Sequence, residues 1–343
     1  SYMREKRAVL SVGRVMTCVL GMVVRREREI REFVKTPFYR VIGSFDVPDH
    51  ETAVIEAEWR AVEGSRYFGT PALYKENGFK KKETAMELKE ILSANPPLEA
   101  VVEKIEKKKE NKNPPLLFNL AELQNECSRL FKLSPDETLK IVQELYEKKL
   151  VTYPRTDARV LSSAVAKEIY KNISGLKNYE HGSVYATEIL ETGAYKNLIK
   201  TRYVNDKQIT DHYAIIPTGQ GLSALRSLSM QGSKVYEVIV RRFLSIFYPP
   251  AVYQKISLVS VREKERLFSS FKVLVSEGYL KVSGYSFGKK KEEETSEEET
   301  QDSAFLEMLQ NIRKGSILSI QRFFIKEGET SPPKRYTSGS MIL

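Results

Sequence analysis

The chain has 343 residues, 41% hydrophobic and 29% charged, which allows two or three domains of about 100–200 residues each and excludes wholesale disorder. Two cysteines without a CxxC pair, no long apolar run and no leader-like opening exclude a disulfide scaffold, a cysteine zinc ribbon, a membrane span and a secretory signal, and fit a reducing cytoplasm. The net charge is +10, and residues 292–302 hold seven acids and no base, so the remainder stands at +17 and suits a polyanionic partner, nucleic acid above all.

Residues 14–34 predict a helix, with Leu20, Val23, Val24, Glu27, Ile30 and Phe33 at spacings of three and four and Pro37 closing it. Residues 38–63 are aromatic and β-branched around a Pro-Asp break and predict a strand pair. A short helix follows at 81–92. The lysine-laden stretch 100–112 reads as a strand running into a mobile connection. Asn119-Leu120-Ala121-Glu122 and Ser134-Pro135-Asp136-Glu137 have the form of capping boxes, opening helices at 120–131 and 135–148. A third helix starts near Ser162-Ser163. Between them Leu150 to Asp157 is extended, because Pro154 keeps Tyr153 out of the helical region. Residues 223–247 are again helical, and 252–283 alternate like two or three strands about a Glu-rich turn. The acidic run 289–302 reads as a solvated loop, 316–325 as a last strand, and Thr337 as the cap of a helix of about six residues. The ends, Ser1-Tyr2-Met3 and Ser340-Met341-Ile342-Leu343, look like those of a piece of a longer protein.

β-rich material therefore flanks a helical block. Its simplest packing joins the flanks into one sheet domain and inserts the block as a lobe on two connections, able to move as a unit. The fold class is α+β and multi-domain.

Tyr153 stands out by context. In an extended segment, residues two apart share a face, so Tyr153 and Arg155 present a phenol and a guanidinium together, with Pro154 stiffening the link. A phenol becomes a useful nucleophile when a cation stabilises its phenolate, and an arginine fork fits two phosphate oxygens. By composition alone, a buried tyrosine beside a surface arginine accounts for the same residues.

Four segments, in order, resemble a known family. Residues 150–162 (LVTYPRTDARVLS) resemble the active-site segment of type IA DNA topoisomerases, above all the topoisomerase III branch. Ser11-Val12-Gly13-Arg14-Val15 with Thr17 resembles the family's SxGRVQTP, residues 211–218 (DHYAIIPT) its HxAIxPT box, and residues 332–337 (PPKRYT) its PPxRYTE stretch. The resemblance spans almost the whole chain. It implies that Tyr153 takes the 5′ phosphate of one DNA strand, that Arg155 holds the scissile phosphate, and that His212 assists there. It also implies DNA contacts from Arg14, Thr156 and Arg335. The implied reaction cleaves and rejoins one strand without ATP, relaxing negative supercoils or unlinking DNA. The implied architecture is toroidal. Residues 37–112 and 220–325 form a split β-rich arch, and 113–219 a winged-helix-like gate domain bearing the tyrosine. Residues 1–36 and 326–343 form part of a helical DNA-binding domain.

Met16, Cys18 and Ala158 depart from the family pattern, and Ser338-Gly339 leans toward the topoisomerase III branch. Family members bind Mg²⁺ through a Glu and a DxD pair in an N-terminal Toprim domain. No DxD occurs here, so the metal is expected in a Toprim segment outside this chain, with none bound by the chain itself. The expected partners are single-stranded DNA and that Toprim domain, the expected state a monomer, and the expected location the cytoplasm, on the bacterial nucleoid. Tyrosine recombinases place HxxR before a C-terminal Tyr, and no HxxR occurs. Relaxases need clustered histidines, and His50, His181 and His212 are scattered. The non-enzyme alternative is a basic nucleic-acid-binding module whose Tyr153 is structural.

Overall fold

The structure is a computed structural model that describes residues 13–48, 50–288 and 306–342; the acidic run 289–302 lies outside the described residues. Helix α1 (Arg14–Arg31) ends three residues short of the expected 34, and buries none of its residues. The chain then enters strands β1 (Pro37–Val47) and β2 (His50–Trp59), an antiparallel pair as expected. Two short strands, β3 (Leu73–Lys75) and β4 (Gly78–Phe79), lead to helix α2 (Lys82–Ser93) and to β5 (Glu99–Lys112). The expectation of a mobile connection within 100–112 is corrected. The strand runs its full length because β6 (Ala251–Arg262) pairs with it from Val101↔Val261 to Lys112↔Ala251, which satisfies the backbone whatever the side chains prefer.

β6 turns through Glu263 and Lys264, both at positive φ, into β7 (Glu265–Ser276), the two-residue geometry that matches strand twist. β8 (Ile317–Glu329) runs four residues past the expected 325, since β1 holds it from Pro37↔Glu329 to Phe45↔Ile320. The strand order β2-β7-β6-β5-β8-β1 closes through β1–β2 into a six-stranded ring, with short seams at β2–β7 (Glu58↔Phe268, Trp59↔Leu267) and β5–β8 (Glu99↔Ser319 to Val101↔Ile317), and with β4 and β3 added outside β1. Its core stacks Trp59 on Phe79 at 4.9 Å, and the indole N–H donates to Glu265 Oε2 at 2.7 Å. Arg262, on β6, pins the end of α2 to the ring. Its guanidinium donates to the carbonyls of Leu92, Ala94, Asn95, Pro97 and Glu99.

The second core belongs to the helices α3 (Leu120–Phe131), α4 (Pro135–Glu147), α5 (Ser163–Leu176), α6 (Ser183–Thr192) and α7 (Met230–Ser245). Ser134 and Glu137 form the expected reciprocal box on α4. Asn119 caps α3 through Glu122 N–H, but the Glu122 carboxylate turns away to Arg159 at 2.8 Å. One boundary differs from expectation. Helix α7, placed by the sequence with the β-rich arch, buries Val235, Tyr236, Val238, Ile239, Phe243 and Leu244 in the helical core, and helix α8 (Leu280–Ser283) returns to it with Val282. The apolar residues of α7 are covered by the neighbouring helices, and the charges that are buried with them, Glu237 and Arg241, face each other four residues apart. Strands β5 and β6 carry the chain into and out of this lobe at their paired ends, Lys112 and Ala251. Helix α9 (Ser338–Ile342) packs on α3, its entry held by Thr337 Oγ1 accepting from Ser340 N–H at 3.2 Å.

The two cysteines report on these surroundings. Cys127 is buried in the helical core, and burial pushes its thiol up to about 12, while Cys18 on α1 is exposed. At pH 8 a thiol reagent should label Cys18 at once and Cys127 only when the lobe opens. Peptide mapping under native and denaturing conditions checks this, and equal labelling of both in the folded protein would contradict the packing.

Candidate active site

The segment bearing Tyr153 is no regular strand. It is held by hydrogen bonds to a second irregular segment, 211–218, whose Ala214, Ile215 and Ile216 lie in the helical core. Val151 bridges Pro217 and Phe118 bridges Ile215, both antiparallel. Thr152 does most of the joining. Its N–H donates to Ile216 C=O, its hydroxyl donates to Ala214 C=O, and that hydroxyl accepts from Ile216 N–H, all at 3.0 Å. Three residues beyond Tyr153, the Thr156 hydroxyl donates to His212 C=O at 3.0 Å and accepts from Ala158 N–H at 3.1 Å. Thr218 closes the far end, its N–H donating to Leu150 C=O at 3.0 Å and its hydroxyl to Lys149 C=O at 2.5 Å.

The turn after Thr218 is seated on helix α5. Asn172 Nδ2 donates to Pro217 C=O at 2.9 Å, and a side chain at Gly175 would lie 2.0 Å from Gly219 O, so the two backbones meet only through glycine.

This stitching puts the Tyr153 ring against the His212 ring, centroids 4.3 Å apart and planes 42° apart. Tyr146, at the end of α4, packs edge-to-face with Tyr153, centroids 5.5 Å apart. Tyr153 and His212 line an open cavity of about 910 Å³ with Tyr146, Lys149, Tyr213 and Gln220 among its walls. Burial pushes the Tyr213 phenol above the usual range, so it stays protonated there.

The expected site residues fall into three groups. Tyr153 and His212 come together. Arg155 is exposed, outside that cavity's walls, and its guanidinium has no hydrogen bond or ion pair among the described residues. The shared face expected for Tyr153 and Arg155 is not that of a strand, because Pro154 between them is buried and the backbone here is irregular. Thr156, expected at DNA, is 6% exposed and its hydroxyl is spent on His212 and Ala158, so its role in this structure is to hold the loop. Arg14 opens α1, exposed. Arg335 is committed to Glu27 of α1, Nε to Oε1 at 2.6 Å and a second nitrogen to Oε2 at 3.2 Å, and this pairing holds the Glu27 carboxyl below its ordinary range. Tyr146 and Lys149, both on the cavity wall, escaped the sequence reading.

These features define a chain that presents a tyrosine, backed by histidine, from a helical lobe on a closed β ring. Residues 1–343 match the family described as DNA topoisomerase, and the chain belongs to that family, in its type IA branch. DNA topoisomerase 3 of Bacillus subtilis strain 168 is 30% identical over 338 residues, 98% of this chain and 42% of the relative. DNA topoisomerase 3 of Salmonella typhimurium is 31% identical over 337 residues, covering 98% and 48%. Full-length topoisomerase I from Thermotoga maritima superposes with a TM-score of 0.63 at 26% identity, covering 99% of this chain and 48% of that one. The chain spans less than half the length of these relatives.

Thr156 offers a direct check of the stitching. Thr156→Val keeps the shape but strands His212 C=O and Ala158 N–H, which should cost about 1–3 kcal/mol, while Thr156→Ser should stay within about 1 kcal/mol of the parent. Denaturant unfolding followed with amide exchange at Ala158 measures both. A Val variant as stable as the parent would show that the hydroxyl holds nothing.

Proposed function

We propose that this chain is the strand-cleaving and gating portion of a topoisomerase III-like enzyme, with Tyr153 as its nucleophile. The observation that carries the reading is the Tyr153–His212 pair lining an open cavity, brought together from two segments that resemble the family's motifs. Tyr153 Oη attacks the phosphorus of a single-stranded DNA phosphodiester, and the bond to the 3′ oxygen breaks. The tyrosine keeps the 5′ phosphate, and the released end becomes a 3′ hydroxyl. His212, beside the phenol, accepts its proton as the new bond forms and returns it through water to the departing 3′ oxygen, so the protons balance. The exposed, uncommitted Arg155 takes two oxygens of the scissile phosphate once DNA is bound. Rejoining is the reverse, and the phosphotyrosine bond conserves the energy of the broken linkage, so no ATP is required.

The lobe 113–219, extended by α7, would serve as the gate that carries the 5′ end away and lets another strand through, relaxing negative supercoils or unlinking DNA. Residues 1–36 and 326–343 would contribute a DNA-binding surface, on the cytoplasmic nucleoid. Among the described residues no three His, Cys, Asp or Glu side chains converge, so those present do not fit a Mg²⁺ centre. We place the metal in a Toprim segment of the longer protein, and no step above runs through it. No described helix is long and apolar enough to cross a membrane.

In the longer protein, Tyr153→Phe should abolish cleavage while leaving single-strand affinity within about two-fold, since it removes one oxygen and little packing. Normal cleavage by this variant would reduce the chain to a DNA-binding module with a structural tyrosine. Arg155→Lys should lower single-turnover cleavage by about 10²–10³, the cost of losing one preorganised donor, and lower affinity far less. A fall in cleavage only in proportion to binding would make Arg155 an ordinary backbone contact.

A further inference from the structure

One wall of the Tyr153 cavity is built at a conformational cost. Helix α4 ends in a turn in which Leu150 N–H donates to Leu145 C=O at 2.9 Å and Lys149 N–H to Tyr146 C=O at 2.8 Å. The residue that must turn left-handed in such an ending is usually glycine, because a Cβ there crowds the backbone. Here it is Lys149, at φ 60°. Lys149 lines the cavity, is exposed, and has no ion-pair partner among the described residues. Three residues earlier, Tyr146 is 39% exposed, lines the same cavity, and sets its ring at 82° to that of Tyr153.

A free ammonium and a part-exposed aromatic ring beside a phenol that attacks phosphodiesters supply what a nucleotide needs: a charge for phosphate and a π-face for a base. The local fold does not need this lysine. Glycine would make the same turn with less strain, as it would at the left-handed Lys132 that ends α3, and what sets Lys149 apart is its place on the cavity wall beside Tyr146 and Tyr153.

We propose that Lys149 and Tyr146 form a subsite for the nucleotide adjoining the phosphate at Tyr153, Lys149 contacting the neighbouring phosphate and Tyr146 stacking on the base. This rests on the reading of Tyr153 as the nucleophile. Every base has a π-face, so the subsite fixes where the strand lies and shows little preference for sequence.

The test uses this 343-residue chain, without cleavage, and two probes of equal charge: an oligothymidylate and an abasic oligomer of the same length. Lys149→Gly should raise the melting temperature, weaken both probes alike and lower the log–log salt slope by about 0.7, one phosphate contact. Lys149→Arg should restore much of the affinity. Tyr146→Leu should weaken the oligothymidylate about five-fold or more and leave the abasic probe unchanged, while Tyr146→Phe binds as the parent does. A Lys149→Gly protein that is more stable and binds both probes normally overturns the phosphate contact. Equal effects of Tyr146→Leu on both probes, or none, overturn the stacking, as does a parent chain that binds neither probe. Because cleavage is not measured, failure here with DNA still attached to Tyr153 in the longer protein rejects the subsite and leaves the nucleophile standing.

Discussion

The hydroxyls of Thr152 and Thr156 hold together two segments that share no regular strand, and the site depends on that join. Each hydroxyl both donates to and accepts from the backbone, so Tyr153, Pro154 and Arg155 are spanned between two fixed points. A single such bond contributes only about 1 kcal/mol net, but a buried partner left unpaired costs about 1–3 kcal/mol, so the loop has little freedom to rearrange piecemeal. The buried Pro154 removes one more degree of freedom. The outcome is asymmetric: Tyr153 is fixed against His212, and Arg155 is left in solvent with its full set of donors. A nucleophile gains from preorganisation, whereas an arginine that closes on an incoming phosphate gains from being uncommitted beforehand.

The closed ring gives this local arrangement its mechanical setting. β5 and β6 are neighbours, and the chain enters and leaves the lobe where their ends pair. Two adjacent connections make a short axis about which a lobe can turn with few contacts broken. Bonds inside the lobe keep it one body: the Tyr203 hydroxyl donates to Pro114 C=O at 2.8 Å near the entry, and the Tyr185 hydroxyl donates to Lys281 C=O at 3.0 Å, tying α6 to the segment around α8. The Arg335–Glu27 pair joins the C-terminal stretch to α1, and α9 rests on α3. A large motion of the lobe has to break α9–α3, a small interface.

Local rules were legible where the deciding partners are near in sequence. The Ser134 box, the Ser162 cap and the span of α3 follow from three- and four-residue spacings. Tyr153 and His212 were singled out because a motif carried them, and the structure brings their rings together. What stayed hidden depended on distant partners. Nothing local shows that the lysines of β5 pair to their end with β6, that α7 goes to the helices rather than the ring, or that Arg335 finds Glu27 across the chain. Nor does anything local show that the hydroxyl of Thr156, a residue the resemblance places at DNA, bonds the carbonyl of His212. Lys149 was missed for another reason: the turn signal is glycine, and this helix ends without one.

The central claim is that Tyr153, and no other tyrosine of the same cavity, becomes joined to DNA. Tyr146 and Tyr213 line that cavity too, which makes the distinction a real one. The direct measurement traps the covalent complex of the longer protein with a single-stranded oligonucleotide by rapid denaturation, digests it, and maps the modified peptide by mass spectrometry. The account predicts a 5′-phosphonucleotide on Tyr153 alone. An adduct on Tyr146 or Tyr213, or on a residue outside the cavity, would contradict it.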